Sequence, residues 1–166
     1  MKKVIDETFF YTKEEMVKDL LQITPIDYED SVLDAGSGRN KVWFKNLKCK
    51  IKYECEIEDG QDFFKWDKKV DWVIGNPPHR NSSGGDNLIW KWIEKASEIA
   101  RKGMAFLFNH RFWLVITPKR LKYLQYKGFY IQKVHVVCDK RWFGRYFYVI
   151  FTKQKTDFIT FSEKNY

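Results

Sequence analysis

Cysteines, long apolar runs and linker-like stretches are all scarce in this sequence, and each scarcity excludes a class of protein. The three cysteines, Cys49, Cys55 and Cys138, are odd in number and show no Cys-x-x-Cys spacing, which argues against a disulfide framework or a zinc site. No apolar run is long enough to span a bilayer, and residues 1–6 do not have the composition of a secretory signal. We therefore expect a soluble cytoplasmic protein without membrane contact and without a bound metal ion.

The sequence also contains no internal repeat and no Pro-, Gly- or Ser-rich stretch that would link two domains. Its 166 residues, 44% of them hydrophobic, are enough for one sizeable core and leave little room for a second one. We therefore expect residues 1–166 to form a single domain.

Acidic residues are fewer than basic residues, and the resulting positive charge indicates a class of partner. The chain has 30 Lys and Arg against 22 Asp and Glu, a formal net charge of +8, and 18% of its residues are aromatic. Cationic side chains bind phosphates and aromatic rings stack on unpaired bases, so this combination favours a nucleic-acid ligand. The alternative is a basic protein without such a partner, because a lysine-rich composition alone produces the same charge.

The most informative motif is Asn76-Pro77-Pro78-His79, which follows a short apolar run at residues 72–75. The apolar run predicts a buried strand of an α/β sheet, and ligands bind at the carboxyl ends of such strands. The two prolines hold the chain extended, so its carbonyls are not used in a helix. If the Asn76 amide oxygen and the Pro77 carbonyl each accept one N–H of an exocyclic amine, the nitrogen lone pair can turn toward an electrophile. The motif therefore favours amine alkylation, and the alternative is a tight turn that only closes the strand.

A second motif lies at residues 32–40, where an apolar run ends in Asp34 and a Gly36-Ser37-Gly38 turn. Glycines in such a turn let the backbone approach a nucleotide-like ligand, whose hydroxyls or ammonium group a carboxylate can bind. The third glycine of the dinucleotide fingerprint and the Lys-Ser/Thr of the triphosphate loop are both absent. The turn therefore favours a cofactor without phosphate groups.

With these motifs in this order, the sequence resembles the class I S-adenosylmethionine-dependent methyltransferases, and in particular the N6-adenine type with its Asn/Asp-Pro-Pro-aromatic signature. The resemblance covers most of the chain and implies an α/β, Rossmann-like fold. Its features are a mostly parallel seven-stranded sheet with an antiparallel last strand and helices on both faces. The resemblance also implies S-adenosylmethionine as the cofactor, and as methyl acceptor adenine N6 of a nucleic acid, DNA ahead of RNA.

The resemblance assigns roles to individual residues. The catalytic motif would be Asn76, Pro77, Pro78 and His79. Residues in five segments would bind the cofactor: Tyr11, Thr12, Asp34, Ala35, Gly36, Gly38, Glu56, Ile57, Asp62, Phe63 and Asn76. Within this set, Glu56 would meet the cofactor ribose, whereas Asp62 and Phe63 would meet its adenine.

The target base and its strand would be bound by residues near both ends of the site: His79, Lys140, Arg141, Trp142 and Phe143. His79 replaces the Tyr, Phe or Trp usual in the family; an imidazole stacks more weakly and titrates near pH ~6.5. Phe143 is preferred over Trp142 as the second aromatic on the target ring, and core packing is the alternative for this pair. Residues 79–87 have the composition of a flexible lid.

The hydrophobic pattern alternates between helix and strand. Residues 12–15 (Thr-Lys-Glu-Glu) are typical of a capping box before an amphipathic helix that ends ahead of Pro25. Further helices are predicted from residue 88, with Trp92 in the core and Gly103 as the stop, and from Pro118. Strands are predicted at 32–33, 51–57, 70–74, 104–108, 130–137 and 146–152, the last two antiparallel because only a loop joins them.

Two other functions stay open from the sequence. Because His79 and Asn40 depart from the family pattern, the chain could be a non-catalytic subunit that binds nucleic acid or a partner. Because protein glutamine methyltransferases share the Asn-Pro-Pro motif, glutamine is the alternative acceptor. No separate target-recognition domain is expected in this chain, so a partner subunit could supply target recognition.

Overall fold

The computed structural model describes residues 12–78, 88–142 and 144–166. The strands in these ranges are β1 (Ser31–Ala35), β2 (Ile51–Cys55), β3 (Val70–Gly75), β4 (Ala100–Asn109), β5 (Tyr130–Cys138), β6 (Tyr146–Thr152) and β7 (Thr160–Asn165). The helices are α1 (Glu14–Gln22), α2 (Val42–Asn46), α3 (Leu88–Ile99), α4 (Arg111–Val115) and α5 (Pro118–Tyr126). Two 3-10 turns, Ile57–Asp59 and Phe63–Lys65, lie between β2 and β3.

The seven strands form one sheet in the order β2-β1-β3-β4-β6-β5-β7. The pairings of β1 with β2 and β3, of β3 with β4, and of β5 with β7 are parallel, whereas β6 runs antiparallel to both β4 and β5. Strand β2 pairs with one edge of β1, and β3, the next strand along the chain, pairs with the other edge. Ligands bind open α/β sheets outside the carboxyl ends of the strands at such a reversal. The topology therefore places the expected site at the ends of β1, β2 and β3.

The predicted Rossmann-like fold, a mostly parallel seven-stranded sheet, is confirmed. One detail differs, because the antiparallel strand is β6 and a further strand, β7, follows it at the sheet edge. The side chains of β7 are mostly exposed, so no alternation of apolar and polar residues marked this strand in the sequence. Its backbone pairing with β5 is what defines it.

Helices cover both faces of the sheet, as predicted. Successive residues of β4 alternate between two apolar cores: Phe106 packs in the core that contains α3, and Leu107 packs in the core that contains α1 and α2. Because both faces are buried, β1, β3 and β4 read as continuous apolar runs in the sequence. Trp92 of α3 is 4% exposed and lies in the first core, as expected.

Two local predictions were wrong. Helix α1 begins at Glu14 with Lys13 as its N-cap and no side-chain capping bond, so Thr12 does not start a capping box. Gly103 does not stop α3, because the helix ends at Ile99 and passes directly into β4. Gly103 lies within that strand, where a Cβ atom would clash with the Trp72 indole ring.

Candidate active site

Asn76 directly follows the buried strand β3, where the preceding glycine brings it close to β1. Gly75 has φ 148°, and a Cβ atom at this position would clash with the carbonyl oxygen of Ala35, a fully buried residue at the end of β1. After Asn76, Pro77 is buried and Pro78 is exposed. The Asn-Pro-Pro motif therefore leaves the sheet beside the glycine turn, where the topology places the site.

The nitrogen and the oxygen of the Asn76 side-chain amide differ in their hydrogen bonding. Its Nδ2 donates a hydrogen bond to Thr12 Oγ1 at 3.1 Å, and Thr12 is 7% exposed. Its Oδ1 is buried and has no hydrogen-bond partner in the described part of the chain. The bond to Thr12 fixes the amide and leaves one buried acceptor oxygen for a ligand.

The glycine turn is bound to the end of β2 through its backbone amides. Gly36 N and Ser37 N both donate to the Cys55 carbonyl, at 2.9 and 3.1 Å, and Gly38 N donates to Glu56 Oε2 at 2.7 Å. The positive φ angles of Gly36 and Gly38, 67° and 64°, permit this turn. In phosphate-binding loops such amides point at the ligand, whereas here three of them already have partners.

Asp34 lies beneath this turn and is fully buried. Its Oδ2 accepts a hydrogen bond from Phe44 N at 2.9 Å, and its Oδ1 has no partner among the described residues. Burial, with the nearby charges of Glu54 and Glu56, raises the pKa of Asp34 to about 8. Through the bond to Phe44 the carboxyl group supports α2, and its role as a direct cofactor contact stays a prediction.

A cavity of about 120 Å³ connects Asn76 with the glycine turn. Its lining, here called the Asn76 cavity, consists of Thr12, Gly36, Ser37, Gly38, Asn40, Val42, Trp43 and Asn76. Four of these residues were predicted cofactor contacts: Thr12, Gly36, Gly38 and Asn76. Ser37 and Trp43 were not predicted, since neither residue type marks a site by itself.

A larger cavity, of about 430 Å³, opens at the other ends of α1 and α2, beside Thr24 and Cys49. None of the buried, unpaired polar atoms in the described ranges belongs to a residue that lines it. Three residues of the Asn76 cavity carry such atoms: Ser37, Trp43 and Asn76. For this reason the smaller cavity is the candidate site.

Two acids beyond β2 begin the two 3-10 turns. Glu56 Oε1 accepts from Glu58 N at 3.3 Å, and Asp62 Oδ1 accepts from Phe64 N at 2.9 Å. Beside them, Ile57 is 70% exposed and Phe64 39% exposed, so both present apolar surface to a ligand.

Phe63, the residue predicted to meet the cofactor adenine, lies in the core instead. Its ring is 4% exposed and stacks on Trp92, with 4.4 Å between the ring centroids. The more exposed aromatic of the pair is Phe64. The sequence analysis missed Phe64, although the Phe-Phe doublet after Asp62 was a visible signal.

The predicted substrate residues fall into two groups. His79 and Phe143 lie outside the described residues, as do Tyr11 and the predicted lid at 79–87. Trp142 is 8% exposed and packs on Tyr146, with 4.4 Å between their ring centroids, so its ring belongs to the core. Core packing, the alternative to base stacking, therefore describes Trp142.

The basic residues of the β5–β6 connection lie near Thr12. Asp139 binds Arg141 at 2.8 Å and Lys13 at 3.4 Å, so the ion pair with Lys13 links this connection to the start of α1. Burial alone would raise the pKa of Asp139, but hydrogen bonds from Arg141 hold it below the usual range. Lys140 is exposed beside this pair.

Helix α4 supplies surface that the sequence analysis did not predict. It follows β4 at the same edge of the sheet, and Trp113 is 40% and Leu114 77% exposed. Its N-cap residue, His110, is exposed and lies close to Gly144 of the β5–β6 connection. The described ranges contain no group of three or more His, Cys, Asp or Glu side chains arranged to hold a metal ion, and no helix able to cross a membrane.

No family model and no curated protein match this sequence. Solved structures do match the fold. A protein from Listeria monocytogenes, proposed to be a class I S-adenosylmethionine-dependent methyltransferase, gives a TM-score of 0.66 with 15% identity over 92% of this chain and 63% of its own. The methyltransferase subunit of a type I restriction-modification system from Streptococcus thermophilus gives a TM-score of 0.69. Its identity is 16% over 93% of this chain and 47% of its own.

Magnesium protoporphyrin IX methyltransferase from Synechocystis, solved with bound S-adenosylmethionine, gives a TM-score of 0.60 with 14% identity over 85% of this chain and 77% of its own. This chain thus spans less than two thirds of the Listeria and Streptococcus proteins. Identities this low show that this chain shares the fold of these proteins.

Proposed function

We propose that this chain is an S-adenosylmethionine-dependent methyltransferase that acts on adenine N6 in a nucleic acid, DNA ahead of RNA. One observation carries the proposal: Asn76 holds a buried, unpaired amide oxygen beside the glycine turn, while Thr12 binds the other end of the amide. This arrangement supports an amine acceptor, because an exocyclic amine is the kind of group that donates to such an oxygen.

The proposed chemistry needs two acceptors. The N6 lone pair of adenine is conjugated with the ring, so the free amine is a poor nucleophile. Asn76 Oδ1 and the Pro77 carbonyl would each accept one N–H and turn the lone pair toward the methyl group. The bound cofactor would supply an electrophilic methyl group, so that a C–N bond would form as the C–S bond breaks and the proton of the resulting ammonium would pass to solvent. No strong general base is required of the protein.

Three parts of the described structure would bind the cofactor. Thr12 and the glycine turn line the Asn76 cavity, which would hold the end of the cofactor nearest the amine. Glu56 would accept hydrogen bonds from the ribose hydroxyls through its remaining lone pairs. Asp62, with the exposed side chains of Ile57 and Phe64, would bind the adenine. These four residues beyond β2 provide carboxylates and apolar surface, which suit an adenosine group that carries no phosphates.

Three observations support a nucleic-acid substrate. The net charge is +8, Lys140 is exposed on the connection beside Thr12, and α4 presents Trp113 and Leu114 at the same edge. Cationic and aromatic groups at one edge suit a strand with an extruded or unpaired base. The restriction-modification protein that shares this fold is one subunit of its system, so we also propose that a partner supplies target recognition. His79 and Phe143 would contact the target ring.

Methyl transfer from labelled S-adenosylmethionine tests the proposal. Duplex DNA, single-stranded DNA, structured RNA and a protein extract are incubated separately with the wild type, Asn76→Ala and a matched control, Asn165→Ala on the exposed edge of β7. Label in adenine N6 that is lost only with Asn76→Ala is the expected result. Label in protein glutamine would favour the glutamine alternative. No transfer to any substrate, despite cofactor binding, would favour a non-catalytic subunit.

A further inference from the structure

We infer that Ser37 and Trp43 bind the carboxylate of the methionyl part of the cofactor. The inference rests on the proposed function and assigns a role to two residues that were not among the predicted cofactor contacts.

The backbone amides of the glycine turn already have partners. Gly36 N and Ser37 N share the Cys55 carbonyl, and Gly38 N is bound to Glu56. An anionic group that enters the Asn76 cavity therefore cannot be bound by these three amides without breaking the link between the turn and β2. Side-chain donors have to bind it.

Two side chains of the cavity carry the required donors. Ser37 is 7% and Trp43 4% exposed, and in the described part of the molecule neither Ser37 Oγ nor Trp43 Nε1 has a hydrogen-bond partner. Buried polar atoms are rarely left unpaired, so a ligand atom is expected at each. The indole N–H can only donate, so the ligand atom at Trp43 must be an acceptor, and the Ser37 hydroxyl can donate to a second acceptor of the same group.

The size and charge of the cavity favour an amino-acid head group. Its volume of about 120 Å³ is enough for a small polar group such as a carboxylate with its α-carbon and amine. None of the described residues that line it is Lys or Arg, so neutral donors are the groups at hand. Trp43 is held in place by stacking on Tyr148, with 5.7 Å between the ring centroids.

The test compares two ligands that differ only in the carboxylate. Affinities of the intact chain for S-adenosylmethionine and for decarboxylated S-adenosylmethionine are measured by calorimetry with the wild type, Ser37→Ala and Trp43→Phe. Each substitution removes one donor and keeps the neighbouring packing. We expect each to weaken S-adenosylmethionine binding by roughly tenfold, as for a hydrogen bond to a charged group. The affinity for the decarboxylated ligand should stay the same.

Trp66→Phe is the matched control, because it removes an indole N–H that donates to the Lys68 carbonyl, outside the cavity. It should change neither affinity. Equal losses for both ligands in the Ser37 and Trp43 variants would overturn the inference, since they would report a structural effect. Unchanged affinities would overturn it as well. If the wild type binds neither ligand, the proposed function itself fails, which is a distinguishable result.

Discussion

At the scale of single residues, the site is defined by which of its polar atoms have hydrogen-bond partners within the protein and which do not. Asn76 could be predicted from its sequence context, because prolines after a buried strand restrict the local backbone. Its orientation could not be predicted, because the bond to Thr12 joins residues 64 positions apart. Trp43 was missed for the same reason: its place in the cavity depends on tertiary stacking with Tyr148.

The bond between Thr12 and Asn76 should contribute to catalysis by orienting the amide. We expect Thr12→Val to lower kcat at saturating cofactor by about five- to tenfold, the worth of one hydrogen bond. Thr12→Ser keeps the hydroxyl and should restore most of the rate. Steady-state kinetics of the three proteins check this, and equal rates for the Val and Ser variants would show that the hydroxyl has no orienting role.

Burial of Asp34 should make stability depend on pH. The pKa of Asp34 is raised from 3.8 to about 8 in the folded protein, so between these values the folded state keeps a proton that the unfolded state releases. The free energy of unfolding should therefore fall as pH rises from 4 to 8, by at most about 1.4 kcal/mol per unit from this group.

Asp34→Asn removes the titrating group and should flatten this dependence. Urea unfolding of both proteins at several pH values between 4 and 8 measures it. As pH rises, the free energy of unfolding of Asp34→Asn should increase relative to that of the wild type. Parallel curves for the two proteins would contradict a raised pKa at Asp34.

At the scale of elements, the long apolar segments were predictable and the short ones were not. Strands β1, β3 and β4 and helix α3 carry clear hydrophobic patterns because both faces of the sheet are covered. Helices α2 and α4 have five residues each, too few to show a period, and β7 buries no side chain that would mark it.

Gly103 shows how a tertiary contact overrides a local pattern. A Cβ atom there would clash with the Trp72 ring and approach the Phe151 carbonyl oxygen to 2.8 Å. We expect Gly103→Ala to destabilise the protein by about 1–3 kcal/mol through overpacking between β3 and β4.

A double-mutant cycle with Trp72→Phe tests this cause. The smaller ring should relieve part of the clash, so the double variant should be more stable than the sum of the two single effects predicts. Strictly additive effects, measured by thermal or urea unfolding, would show that the Trp72 ring is not the obstacle.

At the scale of the whole molecule, the net charge of +8 predicts salt-sensitive binding to nucleic acid of any sequence. Lys140 is exposed on the connection beside the site. Lys140→Ala should weaken binding and reduce the slope of log affinity against log salt by about 1, the value for one phosphate contact.

Lys155→Ala is the control, because Lys155 is exposed beyond the end of β6, at the opposite edge of the sheet. It should leave the slope unchanged. Fluorescence anisotropy with a labelled oligonucleotide at several salt concentrations measures both variants. Equal slopes for both would place the phosphate contacts elsewhere on the surface.

Variants at position 76 test most directly whether methyl transfer requires the acceptor oxygen of Asn76. Wild type, Asn76→Asp and Asn76→Ala are incubated with S-adenosylmethionine and an adenine-containing oligonucleotide, and N6-methyladenine is measured by mass spectrometry. We predict methylation by the wild type, measurable activity in the Asp variant, which keeps an acceptor, and none in the Ala variant, with cofactor binding still detectable in all three. Methylation by Asn76→Ala at the wild-type rate would contradict it.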